Sequence, residues 1–226
     1  MKQKTQKILT WVIVGATILV IGGFVVSQVF SRKRAKSKFK RKIIDIANKE
    51  WEDWNKGKTS EKSSSMYGRL KQYWDSIGWD ESRWTPSGVA WSSAFISWVM
   101  AKSGGLFGIP FKKASAHATY IREYVKNRKE GKLNAPFVAY RINEKPAEVG
   151  DLVCYSREGS SDMYDRTSNY KSHCDIVVAT NRKKNEIEVI GGNVAQSVAK
   201  RVLSTDPQGK VNDPYSKWFA IIKNNA

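Results

Sequence analysis

The pattern of hydrophobic and polar positions divides the chain near residue 136 into a helical part and a stranded part. Between residues 43 and 130, apolar side chains recur three and four positions apart, a spacing that is typical of helices with one buried face. After residue 136, the apolar runs are short and are bounded by turn-forming residues, which indicates β-strands. Helices followed by strands predict an α+β domain, in which N-terminal helices pack on an antiparallel sheet.

Glycine and proline residues set the limits of the individual elements. The predicted helices lie near residues 43–54, 67–74 and 91–99, and a fourth begins near residue 115. The predicted strands are Phe137–Ile142, Asp151–Ser156, His173–Thr180, Glu186–Asn193, Ser197–Leu203 and Trp218–Lys223.

An apolar segment precedes the helical part. Ile8–Phe30 contains 23 residues and no formal charge, and at about 1.5 Å per residue it would span a hydrocarbon core of roughly 30 Å. A cleaved signal peptide fits less well, because the stretch is too long and no small-x-small cleavage site follows it. We therefore predict a single-pass transmembrane helix. Residues 1–7 are then a short basic tail, residues 31–42 a basic juxtamembrane segment and residues 43–226 the folded domain.

Positive charge is concentrated around this segment. The 226-residue chain carries a formal net charge of +18, and residues 1–42 hold 11 basic side chains and no acidic one. The larger basic cluster follows the segment, at Arg32–Lys42, so the positive-inside rule favours a cytoplasmic domain. We expect that cluster to bind anionic lipid headgroups. A dedicated nucleic-acid site is less favoured, because Phe39 is the only aromatic residue in the cluster.

Composition limits the chemistry that the chain can carry. Hydrophobic residues make up 41% of the chain, enough for a packed core, which excludes a wholly disordered protein. Two cysteines exclude a disulfide scaffold and a four-cysteine zinc module, and two histidines disfavour a histidine-rich metal site. Cys154 and Cys174 are either small buried hydrophobic residues or a pair that faces across adjacent strands, reduced or bridged. Cys154 is also a reserve candidate for a nucleophile.

The first candidate for chemistry is Ser92, which is predicted to begin the third helix just after a break at Pro86–Gly88. A side chain at that place feels the positive end of the helix dipole. The N–H groups of the first helical turn have no partner within the helix and can bind an oxyanion. Ser92 is therefore a candidate nucleophile, and the alternative is that it only caps the helix.

The second candidate is His173, which begins a predicted strand. If Val177 lies opposite Val189, the apolar residues of two consecutive strands share a face, and His173 then lies opposite Asn193. This register requires a connection with an odd number of residues. The Asn193 carboxamide can then orient the imidazole, and Asp175 competes with it from the same face of the strand. The alternative is that His173 merely caps a strand at the surface.

Several local segments resemble motifs of known families. Four of them, Ala90–Val99, Gly150–Val153, His173–Val178 and Ile190–Asn193, resemble motifs of CHAP amidase/peptidase domains. The order of a nucleophile on a helix start, an imidazole on a strand and a polar orienter on the next strand also resembles the papain-like fold. A closer resemblance lies in Glu50–Trp51, Trp91–Met100, Ser115–Tyr120, Gly150–Arg157, His173–Val178 and Gly191–Val198. These segments resemble the bacterial and phage family called domain of unknown function 2272 (DUF2272), and the likeness covers about residues 43–225.

The resemblance implies a papain-like (CHAP/NlpC-like) hydrolase that cleaves an amide bond, with the peptide part of peptidoglycan as the expected substrate. Ser92 stands where CHAP domains have a nucleophilic cysteine, His173 is the expected base and then acid, and Asn193 orients His173. The resemblance implies no metal or organic cofactor. A polar stretch at residues 156–171 is expected to form a cleft wall. The expected substrate contacts are Trp91, His117, Asp175 and Tyr164.

Two other classes of function stay open at this point, because a serine hydroxyl is a weaker nucleophile than a cysteine thiolate. The first is a catalytically inactive module that binds cell-wall fragments or a partner protein. The second is a structural component of a phage or cell envelope. The side of the membrane also stays open, because a cytoplasmic domain would not reach the cell wall. The oligomeric state is not indicated by the sequence.

Overall fold

The computed structural model of the chain describes residues 36–104, 108–159 and 163–226. The compact unit runs from Phe39 to Ala226. The six predicted strands and the four predicted helices are all present within it. The α+β class and the antiparallel sheet are therefore confirmed.

Among the described residues, four α-helices precede the sheet. Helix α1 covers residues 36–53, α2 covers Tyr67–Asp75, α3 covers Ser92–Gly104 and α4 covers His117–Lys129. Two short 3-10 turns, Asn55–Gly57 and Ser64–Met66, lie between α1 and α2.

Helix α1 begins earlier than the predicted position near residue 43. Phe39, Ile43 and Ala47 are all fully buried, and their spacing of four residues places them on one face of the helix. Part of the stretch assigned to lipid headgroups from its charge, residues 36–42, is therefore helical and contributes a core residue. Its lysine and arginine side chains lie on the other faces of the helix, where they masked the apolar spacing.

The six strands form one sheet in which every pairing is antiparallel. Its strand order is β1-β6-β2-β3-β4-β5, so the C-terminal strand inserts between the first two. The strands are β1 (Phe137–Arg141), β2 (Leu152–Ser156), β3 (Ser172–Asn181), β4 (Glu186–Val194), β5 (Ser197–Ser204) and β6 (Trp218–Asn224).

The predicted register of β3 and β4 is correct at one end and wrong at the other. Val177 lies opposite Val189 as predicted. The register then shifts at a bulge, so Ala179 faces Glu188 and not Ile187. The connection between the strands is residues 182–185, an even number and not the predicted odd one. The bulge supplies the extra residue that the loop was expected to supply.

The main core lies between the helices and one face of the sheet. Helix α3 is buried along almost its whole length, and it packs against β3 and β4. Helix α4 packs against β1. Aromatic rings fill the space around α3, where Trp91 stacks on Trp54 with ring centroids 5.0 Å apart. This packing fixes where both helices begin, and the candidate site is built at those two starting points.

The predicted transmembrane helix, residues 8–30, lies outside the described residues. Within the part of the chain that the structure describes, no helix combines the length and the apolar character that crossing a bilayer requires. This finding counts against the predicted membrane-spanning element and the single-pass membrane localisation. We correct both predictions accordingly and carry neither forward.

The two cysteines form a disulfide between directly opposed positions of β2 and β3. Cys154 and Cys174 are both fully buried. Of the alternatives left open by the sequence, the bridged pair is the one found. Cys154 is therefore not a free thiol, and its candidacy as a reserve nucleophile is removed.

Reduction of this disulfide should lower the free energy of unfolding by about 3 kcal/mol, because the bridge closes a loop with a sequence separation of 20 residues. Urea denaturation with and without reductant measures the difference. Alkylation in denaturant before reduction is the control, and it should modify neither Cys154 nor Cys174. Modification of both thiols at that stage would contradict the bridge.

Candidate functional site

Ser92 lies at the start of α3, and its hydroxyl contacts a histidine that the sequence assigned to substrate binding. The Ser92 Oγ lies 2.7 Å from Nε2 of His117. Ser92 is only 3% exposed, at the base of an open cleft. The first intrahelical bond runs from Phe95 N to Trp91 O at 2.9 Å. The N–H groups of Ser92 and Ser93 precede that bond, in the first turn, where N–H groups lack intrahelical partners.

His117 is turned toward Ser92 by the apolar face of α4. It is the first residue of the helix, and Ala116 before it is extended. Tyr120, Ile121 and Tyr124 follow at three, four and seven positions and are buried. His117 lies on the same face of the helix, so its side chain also points inward, and the residue is only 4% exposed.

A series of hydroxyl groups continues from the other nitrogen of this imidazole. Nδ1 of His117 is hydrogen bonded to the Tyr120 hydroxyl, which has Ser93 as a further partner. The Ser93 hydroxyl donates to the Ala114 carbonyl at 2.8 Å, so its oxygen is left to accept. Every donor then has an acceptor if the Ser92 hydroxyl donates to Nε2 of His117 and Nδ1–H of His117 donates to the Tyr120 hydroxyl. The Tyr120 hydroxyl in turn donates to the Ser93 oxygen. This assignment leaves Nε2 of His117 unprotonated and facing Ser92.

Burial keeps the imidazole neutral. Desolvation, followed by the electrostatic interactions with His173 and Arg157, holds the pKa of His117 well below its ordinary value of 6.5. Burial likewise raises the pKa of Tyr120 well above its ordinary value, so that its phenol stays protonated. A neutral imidazole with a free nitrogen beside a serine hydroxyl is the arrangement that general-base catalysis needs.

His173, the base predicted from the sequence, is engaged elsewhere. Its Nε2 lies 3.0 Å from Oδ1 of Asp175, and its Nδ1 lies 2.9 Å from a terminal nitrogen of Arg157. Both ring nitrogens therefore have partners, and the side chain is fully buried rather than at the surface. The imidazole that contacts the Ser92 hydroxyl is therefore that of His117, whose ring centroid lies 5.1 Å from that of His173.

Asp175 holds His173 in place and is itself held by Arg201 of β5. Burial alone would raise the pKa of Asp175, but His173 and Arg201 together bring it below its ordinary value, so the group is a carboxylate. Burial lowers the pKa of His173 despite the opposing effect of Asp175. The neutral imidazole then accepts from Arg157 at Nδ1 and donates from Nε2 to Asp175. Asp175 is fully buried.

Asn193, the predicted orienter, does not reach His173. Its carboxamide nitrogen faces Oε2 of Glu61 and its oxygen faces the Trp91 backbone nitrogen, each at 3.2 Å. The backbone of Asn193 has a φ of 53°, and the pairing of β4 with β5 shifts between Gly191 and Val194. The strand register alone could not show that this irregularity redirects the side chain.

Two predicted substrate contacts are also placed elsewhere. Trp91 is fully buried in the aromatic core, and its indole N–H donates to Glu61 at 2.6 Å. The Tyr164 hydroxyl donates to the Ala139 carbonyl at 2.8 Å, and its side chain lines a different cavity from the one at Ser92. Of the predicted contacts, His117 is the one that lines the Ser92 cleft.

The cleft above Ser92 has a volume of about 540 Å³. The start of α4 forms one wall, and parts of the polar stretch at residues 156–171 form another. Arg157 and Lys171 make that wall basic. Among the described residues, no group of three or more His, Cys, Asp and Glu side chains is placed to hold a metal ion. The wall residues are Ser115, Arg157, Glu158, Asn169, Tyr170 and Lys171.

Sequence reasoning missed two functional candidates, Tyr120 and Arg157. The spacing of three residues between His117 and Tyr120 was a usable signal, because it places both side chains on one face of a helix. Arg157 stood in the stretch predicted to form a cleft wall, but no pattern distinguished it from the other charged residues there.

A family model described as "Uncharacterized protein conserved in bacteria (DUF2272)" matches residues 46–223. The match includes Ser92, His117 and His173, and it confirms the resemblance to that family predicted from the sequence. Searches of curated proteins and of solved structures found no match to the chain.

Gly191 provides a test of the buried histidine–aspartate pair. A Cβ atom at this position would lie 1.9 Å from Oδ1 of Asp175 and 2.9 Å from Nε2 of His173. Gly191→Ala should therefore lower the free energy of unfolding by about 1–3 kcal/mol, as overpacking of a rigid site does. Gly68→Ala is the matched control, because a Cβ there meets nothing within 4 Å. In helix α2 that change should stabilise the protein by up to about 1 kcal/mol.

Urea denaturation of both glycine variants measures these differences. Equal stability of the two variants would contradict the placement of Asp175 and His173 against Gly191.

Proposed function

We propose that this chain, which belongs to the DUF2272 family, is a hydrolase that cleaves an amide bond through an acyl intermediate on Ser92. The observation that carries the proposal is the distance of 2.7 Å between the Ser92 hydroxyl and Nε2 of His117 at the base of an open cleft. A hydroxyl paired with a buried neutral imidazole is the minimum that nucleophilic catalysis by serine requires.

In the first step, the Ser92 oxygen attacks the carbonyl carbon of the amide, and its proton moves to Nε2 of His117. The carbonyl electron pair moves onto the oxygen, and N–H groups of the first turn of α3 are available to stabilise the oxyanion. The oxyanion then collapses, the C–N bond breaks, and the protonated His117 gives its proton to the leaving amine. Water, deprotonated by His117, hydrolyses the acyl ester and restores Ser92.

Tyr120 replaces the carboxylate that orients the histidine in the common serine hydrolase triad. Its hydroxyl accepts from Nδ1–H and fixes the ring, so that Nε2 faces Ser92. A phenol carries no negative charge to stabilise the imidazolium. We therefore assign Tyr120 a positioning role, and we attribute the stabilisation of charge mainly to the helix start at Ser92.

The proposal retains two expectations that the resemblance implied. The first is a relationship to papain-like hydrolases, in which Ser92 stands at the position of the nucleophilic cysteine. The second is a peptide of peptidoglycan as the substrate. The occurrence of the family in bacteria and the basic wall of the cleft support a peptide that carries acidic groups.

A probe that phosphonylates activated serine hydroxyls tests the nucleophile. A fluorophosphonate should label the purified protein at Ser92, and mass spectrometry of the digested protein should locate the adduct. Ser92→Ala should abolish labelling, and His117→Gln should slow it about 10²–10⁴-fold, because the general base is lost. Ser103→Ala is the matched control on the same helix, since its hydroxyl donates to the Val99 carbonyl away from the cleft. It should be labelled at the normal rate.

Labelling that persists in Ser92→Ala at the same rate would remove Ser92 from the mechanism. A folded wild-type protein that is not labelled at all would favour the inactive binding module over the hydrolase.

The pH dependence of labelling tests the state of His117. Only the neutral imidazole accepts the serine proton, so the rate is lost as the pH falls through the pKa of His117. That pKa is held below 6.5 by burial, so the rate should already be at its plateau at pH 6.5 and should decline only in more acidic buffer. Labelling reactions stopped at successive times give the rate at each pH. A midpoint at or above pH 6.5 would contradict a buried, neutral base.

A further inference from the structure

Arg157 is a cation on the wall of the Ser92 cleft. Its side chain is exposed, and it lines the cleft together with Ser92 and His117. Within residues 36–104, 108–159 and 163–226, its guanidinium forms no ion pair with a carboxylate; its side-chain partner there is His173. The guanidinium therefore keeps most of its donors available to the cleft.

The neighbouring charges do not neutralise Arg157. The next residue, Glu158, has a carboxylate that accepts a hydrogen bond from the Arg166 guanidinium at 2.8 Å. It accepts a second one from the Lys171 backbone N–H, also at 2.8 Å. These contacts hold the pKa of Glu158 below its ordinary value, so the group is ionised and both of its oxygens already accept hydrogen bonds. Asp175 is occupied by His173 and Arg201. The charge of Arg157 thus stays directed to whatever enters the cleft.

The fold holds Arg157 in position from behind. One terminal nitrogen donates to Nδ1 of His173 at 2.9 Å, and His173 is fixed by Asp175, which is fixed by Arg201. The Arg157 backbone N–H donates to the Lys171 carbonyl at 2.9 Å, which joins the two ends of the polar stretch. A guanidinium held in this way loses less conformational freedom on binding an anion than a free arginine would.

Two further hydroxyl groups on this wall lack partners. Tyr170 and Ser172 are among the residues that line the cleft, and among the described residues neither hydroxyl oxygen has a hydrogen-bond partner although both are shielded from solvent. Tyr170 is 7% exposed, and burial raises its pKa to about 12, so it is a donor. Unpaired buried donors cost free energy, and a group that accepts hydrogen bonds would satisfy them.

We propose that Arg157 binds a free carboxylate of the substrate and so restricts the enzyme to acyl compounds that carry a carboxylate near the scissile amide. The inference rests on the proposed function, because it takes Ser92 as the reacting centre in the same cleft. His173 uses only one of the two N–H bonds of that terminal nitrogen. The other N–H, together with Nε or with the second terminal nitrogen, forms a planar fork that matches the two oxygens of a carboxylate. His173 is a positioning residue in this arrangement, since it touches Arg157 and not the reacting atoms.

Binding in the Ser92→Ala protein tests the inference without turnover. The probes are N-acetyl-alanyl-alanine, which has a free carboxylate, and its C-terminal amide, titrated into the protein and followed by NMR chemical shifts. The carboxylate peptide should bind about tenfold or more tightly than the amide, as one charge-assisted hydrogen bond predicts. Adding Arg157→Gln should remove that preference, and Arg157→Lys should restore only part of it, because an ammonium lacks the planar fork.

Arg83→Gln in the same background is the matched control. Arg83 is an exposed arginine in the loop before α3 and does not line the cleft, so the change alters the net charge equally. The preference for the carboxylate peptide should survive it. Equal affinity for the two peptides, no binding of either peptide, or a preference that survives Arg157→Gln would overturn the inference.

The two proposals fail separately in these experiments. A protein that prefers the carboxylate peptide but is never labelled by the fluorophosphonate has the binding site without the hydrolase. A protein that is labelled at Ser92 but binds both peptides equally has the hydrolase without selection by Arg157.

Discussion

The candidate site depends on one hydrogen bond between side chains at the starts of two helices. Ser92 begins α3 and His117 begins α4, and their side chains meet at 2.7 Å only because both helices are fixed by packing on the sheet. The contact is buried, so the imidazole is kept neutral and must satisfy both nitrogens within the protein. The hydroxyls of Tyr120 and Ser93 and the Ala114 carbonyl meet that requirement, and they determine which nitrogen faces Ser92.

The two histidines of the chain then have different tasks. His117 contacts the Ser92 hydroxyl, whereas His173 connects a buried carboxylate to the arginine on the cleft wall. The second arrangement contains a buried charge, and Asp175 is tolerated there because Arg201 and His173 both donate to it. Only glycine fits at position 191 beside it, since a methyl group would overlap the carboxylate. The sheet therefore supplies the rigid support, and the helix starts supply the proposed chemistry.

Much of the fold could be predicted from the pattern of apolar residues, because all six strands and the helices have clear periods. The start of α1 could not, since lysine and arginine obscured the spacing of Phe39 and Ile43. Ser92 could be identified as a candidate from the sequence, because it follows a helix break. The expected contact between Asn193 and His173 followed from a strand register that holds at Val177, but the sequence does not reveal the bulge or the left-handed backbone at Asn193. Which histidine meets Ser92 depends on how α4 packs on the sheet, and that contact joins residues 25 positions apart.

The most direct test is the protonation of the two imidazoles, read from ¹⁵N NMR of histidine-labelled protein at neutral pH. The hydrogen bonds predict opposite tautomers: His117 carries its proton on Nδ1 and His173 carries its proton on Nε2. Ser92→Ala should shift the Nε2 resonance of His117 and leave that of His173 in place. A proton on Nε2 of His117, or a His117 spectrum unaffected by the loss of the Ser92 hydroxyl, would contradict the hydrogen bond from Ser92 to His117.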